Sequence, residues 1–141
     1  MLQYKKRIMK IAVLSLALTM LTSSMMAFAQ TYKNKYVYGS AYTVVADGTN
    51  DDCSTSYVTV KIDKIYKSTG EDSNYTKVKA DIIGTKGSQI STESGVVLRL
   101  GETTNIKLNM MYGAGSKMKL RMKGNNSSLD CIVDFTAAIS S

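Results

Sequence analysis

Apolar and polar residues alternate with a period of two along most of the chain from residue 36 onward, and no useful stretch shows helical periodicity. Such alternation puts successive side chains on opposite faces of a strand. The clearest runs are 58–62, 78–82, 96–100 and 129–136, and the segments between them are rich in Gly, Asn and Ser. We therefore predict an all-β fold, a small antiparallel β-sandwich of about seven or eight strands.

The most specific local prediction is a hairpin over 104–123. One register brings the apolar residues of its two arms face to face, as the pairs Met110–Met118, Leu108–Leu120 and Ile106–Met122. This register leaves 113–115 as a three-residue loop, in which Gly115 suits the left-handed conformation of a bulged turn. The pattern therefore predicts that the even-numbered residues of the second arm face the core.

The outward face of this hairpin would carry five basic residues and no acid: Lys107, Lys117, Lys119, Arg121 and Lys123. One hypothesis is that this face meets an anionic partner, namely an envelope polymer, a lipid surface or an acidic protein. The alternative is an ordinary solvated strand, because lysine commonly keeps a sheet edge from pairing with another chain.

Tyrosines form a second cluster, in which Tyr36, Tyr38 and Tyr42 share one parity. In a continuous strand they would lie on one side and form an aromatic surface for a sugar or a protein partner. Gly39 interrupts the row, and tyrosine also has a high strand propensity and fills core edges. The sequence leaves open whether this row belongs to the surface or to the core.

The N-terminus has the features of a signal peptide spanning residues 1–29. Four basic residues precede an apolar run at 11–21, and residues 27–29 (Ala-Phe-Ala) form a small-x-small cleavage pattern. We therefore predict a secreted, extracellular protein of bacterial type, with one β domain at 30–141. An uncleaved leader that anchors the protein in a membrane is the alternative, since 11–29 approaches spanning length.

Charge and cysteine content narrow the picture further. Four of the 18 basic residues lie in the leader, which leaves 14 against 11 acids and a net charge of +3. This modest charge does not argue for nucleic-acid binding. Two cysteines in an exported domain favour a disulfide, so we predict a Cys53–Cys131 bond that closes a loop of 79 residues.

The chain has no histidine, which excludes Ser-His-Asp and Cys-His catalysis and removes the usual transition-metal ligand. The loop from Asp47 resembles a calcium loop, but Asp52 and Val58 stand where glycine and glutamate are required. We therefore predict no metal and no cofactor. Four carboxylates on different predicted elements leave a small hydrolase as the least favoured function: Asp63, Asp81, Glu93 and Glu102.

These observations favour a small, non-enzymatic binding or structural-interaction module that meets an anionic partner or envelope surface through the basic hairpin face. A secreted bacteriocin-like toxin or inhibitor is the alternative, because it also needs only a stable fold and one recognition surface.

Overall fold

The computed structural model describes residues 29–50 and 55–139 and forms eight β-strands. The strands are β1 (Gln30–Val37), β2 (Thr43–Thr49), β3 (Thr55–Lys67), β4 (Lys77–Gly84), β5 (Val96–Arg99), β6 (Thr103–Tyr112), β7 (Lys117–Gly124) and β8 (Cys131–Ala137). These residues contain no helix. The all-β prediction is confirmed, and the predicted leader falls outside the described residues except for its last position.

The strands form two four-stranded antiparallel sheets. Sheet 1 has the order β1-β8-β3-β6, and sheet 2 has the order β2-β7-β4-β5. Their inner faces fill one hydrophobic core, to which sheet 1 contributes Phe135 and Ile62 and sheet 2 contributes Ile82 and Leu120, all fully buried. Each of these residues belongs to an alternating run, so burial of one strand face explains the sequence pattern.

The predicted hairpin is wrong in its pairing. Strand β6 pairs with β3 in sheet 1, whereas β7 pairs with β2 and β4 in sheet 2. The segment between them crosses from one sheet to the other, although Gly115 has the expected positive φ of 76°. Ile106 and Leu120 are both buried, but they reach the core from opposite sheets. Burial of one strand face therefore determined which residues of each arm point inward, but not which strand each arm pairs with.

Met110 also differs from the prediction, since 60% of it is exposed. Tyr57 pairs with Lys107 and Thr55 pairs with Tyr112, so residues 108–111 are looped out of the β3–β6 ladder. The backbone of this bulge bonds instead to the segment before β5, where the Asn109 amide donates to the Ile90 carbonyl at 2.8 Å. The bulge carries Met110 out of the inward position that simple alternation assigns to it.

The structure does not support the predicted disulfide. Cys53 lies outside the described residues, but it is two residues before Thr55, the first residue of β3. Cys131 pairs with Lys67, the last residue of the same strand. Among the described residues Cys131 is a buried cysteine without a disulfide partner, so the predicted bond has no support there.

We expect Cys131 to be a free thiol. In the structure it is buried, and burial, with a smaller contribution from the Asp130 charge, raises the pKa of its thiol to about 11. Iodoacetamide should therefore react slowly with the folded protein at neutral pH and rapidly after unfolding in urea without reductant. Peptide mass spectrometry measures both states, and a peptide that links Cys131 to Cys53 would contradict the expectation.

Candidate anion-binding face

Strand β7 presents its charges as the sequence predicts. Met118, Leu120 and Met122 are fully buried, while the basic residues between them point to the outer face of sheet 2. Lys107, however, belongs to β6 and lies exposed on sheet 1. The five basic residues predicted for one hairpin face are therefore divided between the two sheets.

Two cations of β7 are neutralised by carboxylates on its neighbouring strands. Arg121 lies directly opposite Asp81 of β4, and its Nε and Nη2 donate to the two carboxylate oxygens at 2.8 Å each. Lys119 lies opposite Asp47 of β2, with Nζ 3.0 Å from Oδ2. Because β7 is a central strand, acids on both sides reach its outer face. Lys119 and Arg121 are therefore already paired within the fold.

The Asp81–Arg121 pair is the more deeply placed of the two. The Asp81 side chain is 1% exposed and that of Arg121 is 26% exposed, whereas Asp47 is 59% exposed. The hydrogen bond to Asp81 is the main cause that raises the pKa of the Arg121 guanidinium. A bidentate pair of this kind fixes the register between β4 and β7 as well as satisfying both charges.

A second set of basic residues on sheet 2 lies close together, and none of them is paired with an acidic residue of the described chain. Lys79 of β4 is directly opposite Lys123 of β7, and Lys77 of β4 is directly opposite Arg99 of β5. We call these four residues the basic cluster. None of them forms an ion pair with a described residue, although Glu102 follows Arg99 in the turn after β5. Directly opposed side chains lie about 5 Å apart at Cβ, where like charges destabilise a sheet.

Tyr42 supports one side of this cluster. Its ring centroid lies 4.6 Å from Lys123 Nζ and 4.9 Å from Arg121 Cζ, within the range of cation–π attraction. Its hydroxyl lies beside Gly95, where a Cβ atom would come within 3.1 Å of the oxygen and where φ is +73°. The ring therefore lies across the outer face of sheet 2 and holds the Lys123 ammonium over it.

Tyr36 and Tyr38 lie apart from Tyr42, because β1 and β2 belong to different sheets. They are 39% and 51% exposed and make an edge-to-face contact with ring centroids 5.0 Å apart. The predicted row of three is therefore divided: two tyrosines form a small aromatic surface at the end of β1, and the third lies in the basic face of sheet 2.

Asp130 fixes the connection between β7 and β8 to the end of β1. Its Oδ1 accepts from the Gly39 amide at 2.8 Å, and its Oδ2 accepts from the Tyr36 hydroxyl at 2.9 Å. These two hydrogen bonds, the first being the larger cause, hold the pKa of the Asp130 carboxyl below its ordinary value of 3.8. The same bond to Asp130 raises the pKa of the Tyr36 phenol.

Asp63 and Asp81, two of the four carboxylates considered for hydrolysis, do not lie together. Asp63 accepts from the Thr136 hydroxyl at 3.0 Å on sheet 1, whereas Asp81 is held by Arg121 on sheet 2. Across residues 29–50 and 55–139, no three Cys, Asp or Glu residues are grouped so that they could hold a metal ion.

Comparison of the chain with protein-family models, with curated proteins and with solved structures finds no match in any of the three. In the part of the chain that the structure describes, no helix has the length and apolar character needed to cross a membrane. The role of the basic cluster must therefore be inferred from its own chemistry.

Replacing Arg121 should be strongly destabilising. Arg121→Met leaves the Asp81 carboxylate buried without a partner, so we expect a loss of about 3 kcal/mol in the free energy of unfolding. The double variant Arg121→Met/Asp81→Leu should recover most of it, because no unpaired charge remains. Urea unfolding measures both.

Lys119→Met is the matched control on the same strand. We expect it to lose less than about 1 kcal/mol, because the Lys119–Asp47 pair is exposed. An equal loss in Arg121→Met and Lys119→Met would contradict the conclusion that the Asp81–Arg121 pair is the more deeply buried one.

Asp130 should stabilise the fold in a pH-dependent way. Because its folded pKa lies below 3.8, its contribution is complete well above that value and is lost as the pH falls through the folded pKa. Asp130→Asn should therefore be less stable than the parent near neutral pH, and the difference should shrink on acidification below 3.8. Urea midpoints across this range measure the effect, and a constant difference at every pH would show that the carboxylate charge is not involved.

Proposed function

We propose that this protein is an exported binding module that contacts an anionic polymer of the cell envelope through the basic cluster Lys77, Lys79, Arg99 and Lys123. The observation that carries the proposal is the pair of like-charged cross-strand contacts, Lys79 with Lys123 and Lys77 with Arg99, side by side on one sheet face. Each contact costs the fold a repulsion that a bound anion would turn into attraction.

The geometry favours an extended partner. Residues two apart along a strand lie about 7 Å apart and opposed residues about 5 Å apart, so the four charges lie within one Debye length of about 8 Å of their neighbours. Their potentials therefore add on the outer face of one sheet. A polymer with repeated negative charges can contact several of them together, whereas a single small anion would remain exposed to water.

The basic residues first predicted for this function contribute unequally. Lys119 and Arg121 are occupied by Asp47 and Asp81, so they add little net attraction for an outside anion. Lys117 lies opposite Thr49 at the far end of β7, and Lys107 lies on the other sheet. Lys123 is the one member of the predicted set that belongs to the basic cluster.

Export is part of the proposal and rests on the sequence pattern of residues 1–29. A cleaved leader would release the domain to the envelope or the medium, and an uncleaved leader would tether it at the membrane surface. Both arrangements expose the basic cluster to the anionic polymers outside the cell, so the proposed contact does not depend on cleavage.

The test is a charge reversal at residue 79, which also removes the repulsion between residues 79 and 123. Lys79→Glu places a carboxylate opposite Lys123, as Asp81 is placed opposite Arg121 two residues further on. We expect this variant to be as stable as the parent or more stable by about 0.2–1 kcal/mol, yet to elute from a polyanion resin at lower salt. Urea unfolding and salt-gradient elution measure the two effects on one protein sample.

The matched control is Lys86→Glu, which makes the same change in net charge in the turn at the opposite end of β4. Lys107→Glu serves the same purpose on sheet 1. We expect both controls to elute close to the parent. If Lys79→Glu and Lys86→Glu shift equally, retention depends only on net charge and the basic cluster has no special role.

A further inference from the structure

A groove with a volume of about 230 Å³ opens at the end of the sandwich next to the basic cluster. The segment leading into β4 forms one wall with Asn74, Tyr75 and Lys77, the first residue of β4, and the connection after β7 forms the other with Asn125 and Asn126. Lys77 belongs both to this groove and to the basic cluster, so a ligand can occupy the two together.

The groove presents amide groups that the fold leaves unused. The side chains of Asn74 and Asn125 make no hydrogen bond to another described residue, so each offers two donors and an acceptor. Asn126 uses only its Oδ1, which accepts from the Ser128 amide at 3.2 Å and the Ser128 hydroxyl at 3.0 Å, and its Nδ2 remains available.

The backbone on either side of Asn125 and Asn126 packs closely against neighbouring backbone. A Cβ atom on Gly124 would lie 2.6 Å from the Leu129 carbonyl oxygen, and one on Gly39 would lie 2.6 Å from the Leu129 amide nitrogen. Asp130 fixes the far end of this connection through Gly39 and Tyr36.

We propose that this groove binds one sugar unit of an acidic polysaccharide whose neighbouring units lie along the basic cluster. Sugar hydroxyls both donate and accept hydrogen bonds, as the free amides of Asn74 and Asn125 do, and Lys77 supplies the charge that a uronate carboxylate needs. The groove is smaller than the roughly 300–1,000 Å³ of typical small-molecule pockets, which suits one unit of a longer chain.

This inference names the ligand class of the proposed anionic polymer and therefore rests on the proposed function. An acidic protein would satisfy the basic cluster equally well, but its backbone and carboxylates lack the dense hydroxyl groups that the free amides match. Binding of an acidic polysaccharide can be distinguished from binding of an acidic polypeptide by comparing two negatively charged polymers, one of each class.

The experiment compares polygalacturonate with poly-L-glutamate, using titration of the full chain at low salt. We expect the parent to prefer polygalacturonate, and Asn125→Ala to weaken that binding about three- to tenfold, as for one lost hydrogen bond, without changing the binding of poly-L-glutamate. Lys79→Glu should weaken both. Asn74→Ala tests the opposite wall, and Thr85→Ala, an exposed residue at the other end of β4, is the matched control with no expected effect.

The outcomes separate the two proposals. Equal binding of both polymers, unchanged in Asn125→Ala and Asn74→Ala but weakened in Lys79→Glu, would overturn the saccharide inference and leave the basic cluster as a general polyanion site. Failure of the parent to bind either polymer at low salt would overturn the proposed function itself. Asn125 makes no hydrogen bond within the described structure, so loss of folding does not confound its variant.

Discussion

Strand β7 lies between β2 and β4, and this central position determines both the core and the charged face of sheet 2. Its buried side chains Met118, Leu120 and Met122 require every odd-numbered neighbour to face water. Two strands flank that outer face at about 4.8 Å on either side, so the partner of each cation is set by the register of the sheet. The register gives Arg121 and Lys119 a carboxylate and gives Lys123 another lysine.

Alternation predicted where most of the strands lie and which face of β7 is buried, because burial of one strand face is a local property of the sequence, but it was wrong at Met110 in the β6 bulge. It did not predict which strands are neighbours. Ile106 and Leu108 on one arm, and Met118 and Leu120 on the other, would be buried equally in a hairpin or across two facing sheets. The glycine turn at Gly115 is compatible with both arrangements, so no local signal separated them. The predicted disulfide rested on cysteine count and cellular context alone, and neither says whether two cysteines lie close together in the fold.

The candidate site shows the same limit. Lys77, Lys79 and Lys123 were each recognisable as outward residues of alternating runs, but only the pairing of β4 with β7 brings them together. Lys119 and Arg121 had the same sequence signal as Lys123, and the acids that neutralise them lie 72 and 40 positions away along the chain. A charge run in one strand is therefore an incomplete guide to a charged surface. The groove of free amides had no sequence signal, since Asn-rich turns are common where nothing binds.

The two neighbouring rungs of the β4–β7 ladder permit a comparison within one molecule. At the Asp81–Arg121 rung a carboxylate meets the cation, whereas at the Lys79–Lys123 rung two ammonium groups meet. Backbone pairing, outward direction and the shared contact with Tyr42 are alike for Arg121 and Lys123, so an acid at residue 79 would suit the fold at least as well. The proposed anionic partner would relieve the repulsion at that rung, because an anion placed there would meet both Lys79 and Lys123 instead of one cation.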